Sequence, residues 1–228
     1  MNGDFVVVHN GIVENYLELR EELQSEGVVF RSETDTEVIV QLIERYAHNG
    51  AQMDITEATR KAVRQIRGAH AIVVMSKHQP NTLVAIRIGN AGGVAIGLGD
   101  GENYIASDIP AIIEYTRDMV FLKSRQLATI TATDYTIQHL DKTSIEPETH
   151  HIDWNPVSIA KGEYRHFMLK EIFEQPQSIT NTLSGRIDFE HQLIQLPDLN
   201  MSEENAQKLQ RLVTVACGTS YFSGLVGK

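Results

Sequence analysis

The spacing of apolar residues changes once along this chain, near Gly68, and that change restricts the fold more than any other feature. Before it, three stretches carry helical spacing. Glu14–Glu26 places Leu17, Leu19 and Leu23 at near-helical intervals, with Gly27 as a stop. After Ser32-Glu33-Thr34-Asp35, an apolar face of Val38, Ile39, Leu42, Ile43 and Tyr46 predicts a second helix, which Asn49-Gly50 ends. A third is expected from about Ile55 to Ile66, with Thr56 as its cap. Beyond Gly68 the runs are short and extended: Ala71–Met75, Thr82–Ile88, Val94–Leu98, Asn103–Ala106, Met119–Leu122 and Ala128–Ala132, separated by Gly, Asp, Pro and Asn. Helices followed by a meander of mostly antiparallel strands predict layered α+β packing, not a doubly wound sheet. Phe5–Val8 reads as one further buried strand, broken by His9-Asn10-Gly11.

The pattern fades from Leu140 to Gly162, where Pro147, Pro156 and the polar run Glu146–Asp153 predict a linker with Trp154 as an anchor. Helical spacing resumes over Tyr164–Leu183 despite Pro176. A short helix over Asn205–Arg211 is expected to lead into a strand at Leu212–Ala216, then Cys217-Gly218-Thr219-Ser220 and a further helix. The single cysteine, Cys217, is expected to be a packed thiol at a buried strand end.

Charge excludes some partners. With 30 acidic against 20 basic residues the formal charge is −10, and no basic stripe is present to neutralise phosphates, so no nucleic-acid partner is expected. Apolar runs such as Ala71–Met75 are too short to cross a bilayer, and the opening residues lack the character of a secretory leader. One cysteine permits no internal disulfide, which points to the cytoplasm. His150-His151 are adjacent and have no further ligands in sequence reach, so no metal site is expected.

Three places could carry chemistry. A strand ending in Asn10-Gly11 sets a carboxamide donor beside an unshielded backbone N–H, the pair that an oxyanion hole requires, though Asn-Gly is more often a turn. Asp35 stands at a helix start, where it either caps the helix or offers a fixed carboxylate to an ammonium group. Thr219 and Ser220, after an apolar run and Gly218, open a helix in the manner of an anion site, without the sequence of a Walker loop.

Five ordered motifs gather these signals into one resemblance. Val7–Asn15, Ser32–Glu37, Tyr104–Asp108, the pair His166–Ile172 with Glu174-Gln175-Pro176, and Cys217–Ser220 resemble the glutamine–fructose-6-phosphate aminotransferase family across essentially the whole chain. The resemblance implies a partial αββα N-terminal-nucleophile (type 2 glutamine amidotransferase) sandwich over residues 1–140. It further implies a linker and hinge helix over 141–200, and from 201 to 228 the start of an α/β sugar-isomerase (SIS) domain. It implies transfer of the glutamine amide nitrogen to fructose 6-phosphate, without metal or cofactor, in a homo-oligomer. Asn10 and Gly11 would be the oxyanion donors, Asp35 the carboxylate for the glutamine ammonium, and Thr219 and Ser220 the first hydroxyls of the sugar-phosphate site. The family's attacking N-terminal cysteine and its Arg-Trp-Ala-Thr-His segment have no counterpart in these 228 residues, and Asn90-Ala91-Gly92-Gly93 replaces a usual Ser-Pro-Leu. An inactive piece of such an enzyme is therefore expected, with a stand-alone binding or regulatory module, or one half of a split enzyme, as the alternatives.

Overall fold

In the computed structural model, which describes residues 3–48, 54–153, 162, 164–188, 190, 191, 193, 194, 199 and 202–227, the change of spacing at Gly68 marks the passage from helices to sheet. Strand β1 (Phe5–Gly11) is followed by helices α1 (Tyr16–Ser25), α2 (Thr36–His48) and α3 (Ile55–Val63). Then come β2 (His70–Ser76), β3 (Gln79–Ile88), β4 (Ala95–Leu98), β5 (Asn103–Ala106), β6 (Asp118–Phe121), β7 (Gln126–Ile130), β8 (Tyr135–His139), β9 (Ser144–Ile145) and β10 (His150–His151). The chain divides into two compact units, residues 1–160 and 161–228.

The first unit is layered. A six-stranded antiparallel sheet runs β1-β2-β3-β7-β8-β9, and a four-stranded one runs β10-β6-β4-β5. Leu23, Val38, Ile39, Leu42, Ile43 and Ile55 of the helices bury against Phe5, Ile72, Val74, Val84 and Ile86 of the larger sheet. The opposite face of that sheet gives Ala71, Ala85, Ala128 and Ile130 to a second core, shared with Val94, Ile96 and Val120 of the smaller sheet. This explains the unbroken apolar run of β2, because a central strand covered on both faces has no solvent side to fill with polar residues. Each fully buried Ile or Val contributes roughly 1.5–3 kcal/mol.

Several expectations need correction. The cap of α3 is Asp54, whose carboxylate accepts the Thr56 N–H at 2.9 Å; the Thr56 hydroxyl instead meets the Thr129 hydroxyl. Glu22 and Glu26, exposed on α1, also accept from Arg45 at 2.7 and 3.0 Å and join α1 to α2. The sheets continue past residue 140: β9 pairs with β8, and His150 and His151 pair with Met119 and Asp118 of β6. Residues 141–153 therefore belong to the layered unit. Trp154, Pro156 and Asn49-Gly50 lie outside the described residues.

In the second unit, α4 (Phe167–Leu183) is followed by the short pair β11 (Ile187–Asp188) and β12 (Leu193–Ile194), then α5 (Glu203–Gln207) and α6 (Gly218–Val226). Leu212–Ala216 forms no strand; among the described residues no neighbouring strand offers it a hydrogen-bond ladder, and Leu212 and Val215 are exposed. Cys217 is likewise exposed rather than packed. Among the described residues no helix is long and apolar enough to cross a membrane.

Candidate functional site

Period-2 alternation sends the side chains of β1 to two different places. Phe5 and Val7 face the helices, and His9, on the same face, meets α2, where its Nδ1 lies 2.9 Å from the Thr36 hydroxyl. Val8 and Asn10 turn the other way and are exposed. Val8, His9 and Asn10 line a cleft of about 420 Å³ with Gly93, Ile105 and Ser107.

Gly11 ends the strand with φ +144°, outside the range in which side chains are at ease. A Cβ there would stand 2.3 Å from the Ala69 carbonyl oxygen, 2.9 Å from His9 Nε2 and 3.0 Å from His70 Nδ1. Only glycine lets the backbone lie this close to its neighbours. Gly92, with φ +52°, does the same for the carboxamide, since a Cβ there would come within 2.8 Å of Asn10 Nδ2. The Asn90–Gly93 segment thus packs directly against Asn10. Sequence alone did not single out Gly92; its position opposite β1 is set by the sheet.

Asp35 lies half-buried immediately before α2, and its Oδ2 accepts the Val13 N–H at 2.7 Å. The first-turn amides of α2 bond to backbone carbonyls instead, Glu37 N–H to Thr34 and Val38 N–H to Asp35. Glu37 shapes the loop before Asp35: its carboxylate accepts from the Arg31 and Ser32 amides at 2.8 and 2.6 Å and from the Ser32 hydroxyl at 2.6 Å. Burial pushes its carboxyl up, but those bonds outweigh burial and hold it below the usual carboxylate range.

Behind Gly11, His9 Nε2 and His70 Nδ1 are 3.1 Å apart, and His70 Nε2 lies 3.1 Å from the Arg67 carbonyl. His70 is fully buried. Burial lowers both imidazoles below the ordinary histidine value; the neighbouring ring adds to this at His9, and Asp35 opposes it at both. His70 escaped sequence reasoning because Gly-Ala-His-Ala carries no recognisable signal.

The structure therefore brings Asn10, Gly11 and Asp35 to one end of β1. Thr219 and Ser220 lie in the second unit, in the first turn of α6, where Thr219 lines a cleft of about 560 Å³ with Gln175, Ser178 and Phe222. Cys217 precedes that helix without a side-chain cap bond. Among the described residues no cluster of three or more His, Cys, Asp or Glu could hold a metal ion.

Residues 1–113 match the glutamine amidotransferase domain family. Over 227 residues the chain is 44% identical to glutamine–fructose-6-phosphate aminotransferase (isomerizing) of Symbiobacterium thermophilum, covering 100% of this chain and 36% of that protein. The protein of the same name from Aquifex aeolicus is 44% identical over 227 residues, covering 99% and 36%. That from Methanothermobacter thermautotrophicus is 42% identical over 227 residues, covering 100% and 36%. The chain spans little more than a third of the length of these curated relatives. Glutamine phosphoribosylpyrophosphate amidotransferase from B. subtilis, complexed with ADP and GMP, matches in fold at TM-score 0.51 and 20% identity, covering 61% of this chain and 30% of that one. Sequence along the whole chain and fold in the layered unit agree: residues 1–113 carry a glutamine amidotransferase domain, in a chain similar over its whole length to the glutamine–fructose-6-phosphate aminotransferases.

Proposed function

We propose that the first unit binds glutamine, and stabilises the transition state of its deamidation, within a glutamine–fructose-6-phosphate aminotransferase. The observation that carries this reading is the meeting of Asn10, Gly11 and Asp35 at one strand end, in a chain 44% identical throughout to enzymes of that name. The exposed Asn10 carboxamide and the Gly11 N–H are the donors for the oxyanion that forms when the glutamine amide is attacked. Asp35, held by Val13, offers its other oxygen to the glutamine α-ammonium. The attacking thiol has to come from outside these 228 residues, whose one cysteine, Cys217, belongs to the second unit.

The released nitrogen passes to fructose 6-phosphate, giving glucosamine 6-phosphate and glutamate. Residues 201–228 open the sugar-phosphate (SIS) domain, with Thr219 and Ser220 as its first hydroxyls, after a linker and hinge helix that follow the layered unit. The working form is a cytoplasmic homo-oligomer that uses neither metal nor nucleotide.

Replacing Asn10 tests the reading in the full-length enzyme. Asn10→Ala should remove roughly 2.7–4 kcal/mol of transition-state stabilisation, seen in kcat for glutamine hydrolysis with KM little changed. A rise in KM alone, at normal kcat, would take Asn10 out of the oxyanion hole.

A further inference from the structure

The hydrogen bonds around Gly11 leave one consistent arrangement of protons. The Arg67 carbonyl can only accept, so His70 Nε2 carries a hydrogen and, in a neutral ring, His70 Nδ1 is an acceptor. His9 Nε2, 3.1 Å away, must then donate to it. His9 Nδ1 in turn accepts from the Thr36 hydroxyl at 2.9 Å. The chain Thr36–His9–His70–Arg67 therefore runs in one direction, with both rings neutral.

We propose that His9 and His70 act as positioning residues that seat the Gly11 N–H opposite Asp35. Three placements support this. The facing nitrogens of the two rings crowd the side-chain position of Gly11, 2.9 and 3.0 Å from where a Cβ would stand. His9 immediately precedes Asn10, and its partner Thr36 immediately follows Asp35, so one hydrogen bond spans the two halves of the site. The Val13 to Asp35 bond makes a second tie on the far side of Gly11. The inference rests on the reading of Asn10 and Gly11 as oxyanion donors.

The relay has a limited capacity for protons. One added proton is accommodated, because His9 can donate from both nitrogens with the Thr36 oxygen turned to accept. A second would set two N–H groups against each other between the rings. Asp35, before α2, and Glu14, after β1, are the charged groups that act on the pair, and both favour protonation against the burial that opposes it.

The test has an arm that does not need catalysis. In the 228-residue chain, long-range proton–nitrogen NMR at pH 7.5 should show both imidazoles neutral with hydrogen on Nε2. The Gly11 amide should shift as the pair titrates below pH 6.5, and His70→Leu should abolish that shift. In the full-length enzyme, His70→Leu should lower kcat for glutamine hydrolysis on the order of 10- to 100-fold at similar KM. It should also move the acid limb of the kcat profile, and His70→Asn, which keeps an acceptor near the Nδ1 position, should restore most of the rate. Hydrogen on Nδ1 of His9, a Gly11 amide indifferent to the titration, or a folded His70→Leu enzyme with normal kcat and pH profile would each overturn the proposal. A wild-type enzyme that does not hydrolyse glutamine would instead defeat the functional reading, and the NMR arm would still decide the relay.

Discussion

The Val13 N–H donates to Oδ2 of Asp35 at 2.7 Å, so this carboxylate is bound to the chain leaving β1 and not to the first turn of its own helix. The bond fixes the carboxylate by one oxygen, and on the proposed reading the other takes the glutamine ammonium. It also separates two consequences of mutation that a simple helix cap would merge.

Asp35→Asn keeps an oxygen that can accept from Val13 but loses the charge. In the full-length enzyme KM for glutamine should rise with kcat little changed, because an ammonium contact is made in ground and transition states alike. Asp35→Ala loses the acceptor as well, leaving the Val13 amide short of a partner, and should in addition destabilise the first unit by about 1–3 kcal/mol. Unfolding midpoints and steady-state kinetics on both variants check this. Equal midpoints for the two variants would show the Val13 bond to be of no account.

Gly92 supports Asn10 from across the cleft. Gly92→Ala has to hold a side chain at positive φ, costing about 1–2 kcal/mol, and its Cβ would displace the Asn10 carboxamide. The loss in kcat should therefore exceed what the stability change explains. Kinetics measured well below the melting temperature separate the two effects.

Acid should weaken the first unit before its carboxylates titrate. Unfolded, His9 and His70 take up protons near pH 6.5; folded, both do so only at lower pH. The unfolded chain thus binds more protons inside that window, so their contribution is complete above about 6.5 and is lost as pH falls through the lowered folded values. Glu37 and Glu57, held low by their partners, add a further loss only when pH falls through the carboxylate range. Urea midpoints at pH 7.5, 6.5 and 5.5 should fall in order, and less steeply for His70→Asn. Identical midpoints from 7.5 to 5.5 would contradict the linkage.

The 228-residue polypeptide should release no glutamate from glutamine. Its one thiol, Cys217, is exposed in the second unit, whereas the proposed reaction calls for an N-terminal cysteine, which these 228 residues lack. Glutamate release measured with and without a thiol alkylator should match the buffer rate. Turnover that Cys217→Ser abolishes would refute this.

Much of the layered unit is legible in the sequence, since α2 buries a regular face and β2, β3, β4 and β7 carry the apolar runs of the two cores. Tyr135–His139 is not: Ile137 is its one buried side chain, so alternation has little to show, although β8 pairs with β7 along its whole length. The strand expected at Leu212–Ala216 fails for the opposite reason, a strong apolar run with no ladder beside it. Asp54 displaced Thr56 as a cap because both are good caps and the choice turns on two residues of phase. At the site, Asn10, Gly11 and Asp35 are visible through local motifs, whereas His70 and Gly92 matter only through pairing across the sheet. No local pattern can announce such residues.

Among the described residues, the strand that bears Asn10 and Gly11 pairs with β2, across the whole helical stretch; His9 and His70 are 61 residues apart in the chain. Closing so long a loop comes late, after the helices have made their local contacts. Among the described residues β1 lies at the edge of its sheet and pairs on one side. From that sequence separation the candidate site is expected to assemble late within the layered unit. A compound that orders it should slow unfolding, as well as raise the melting point.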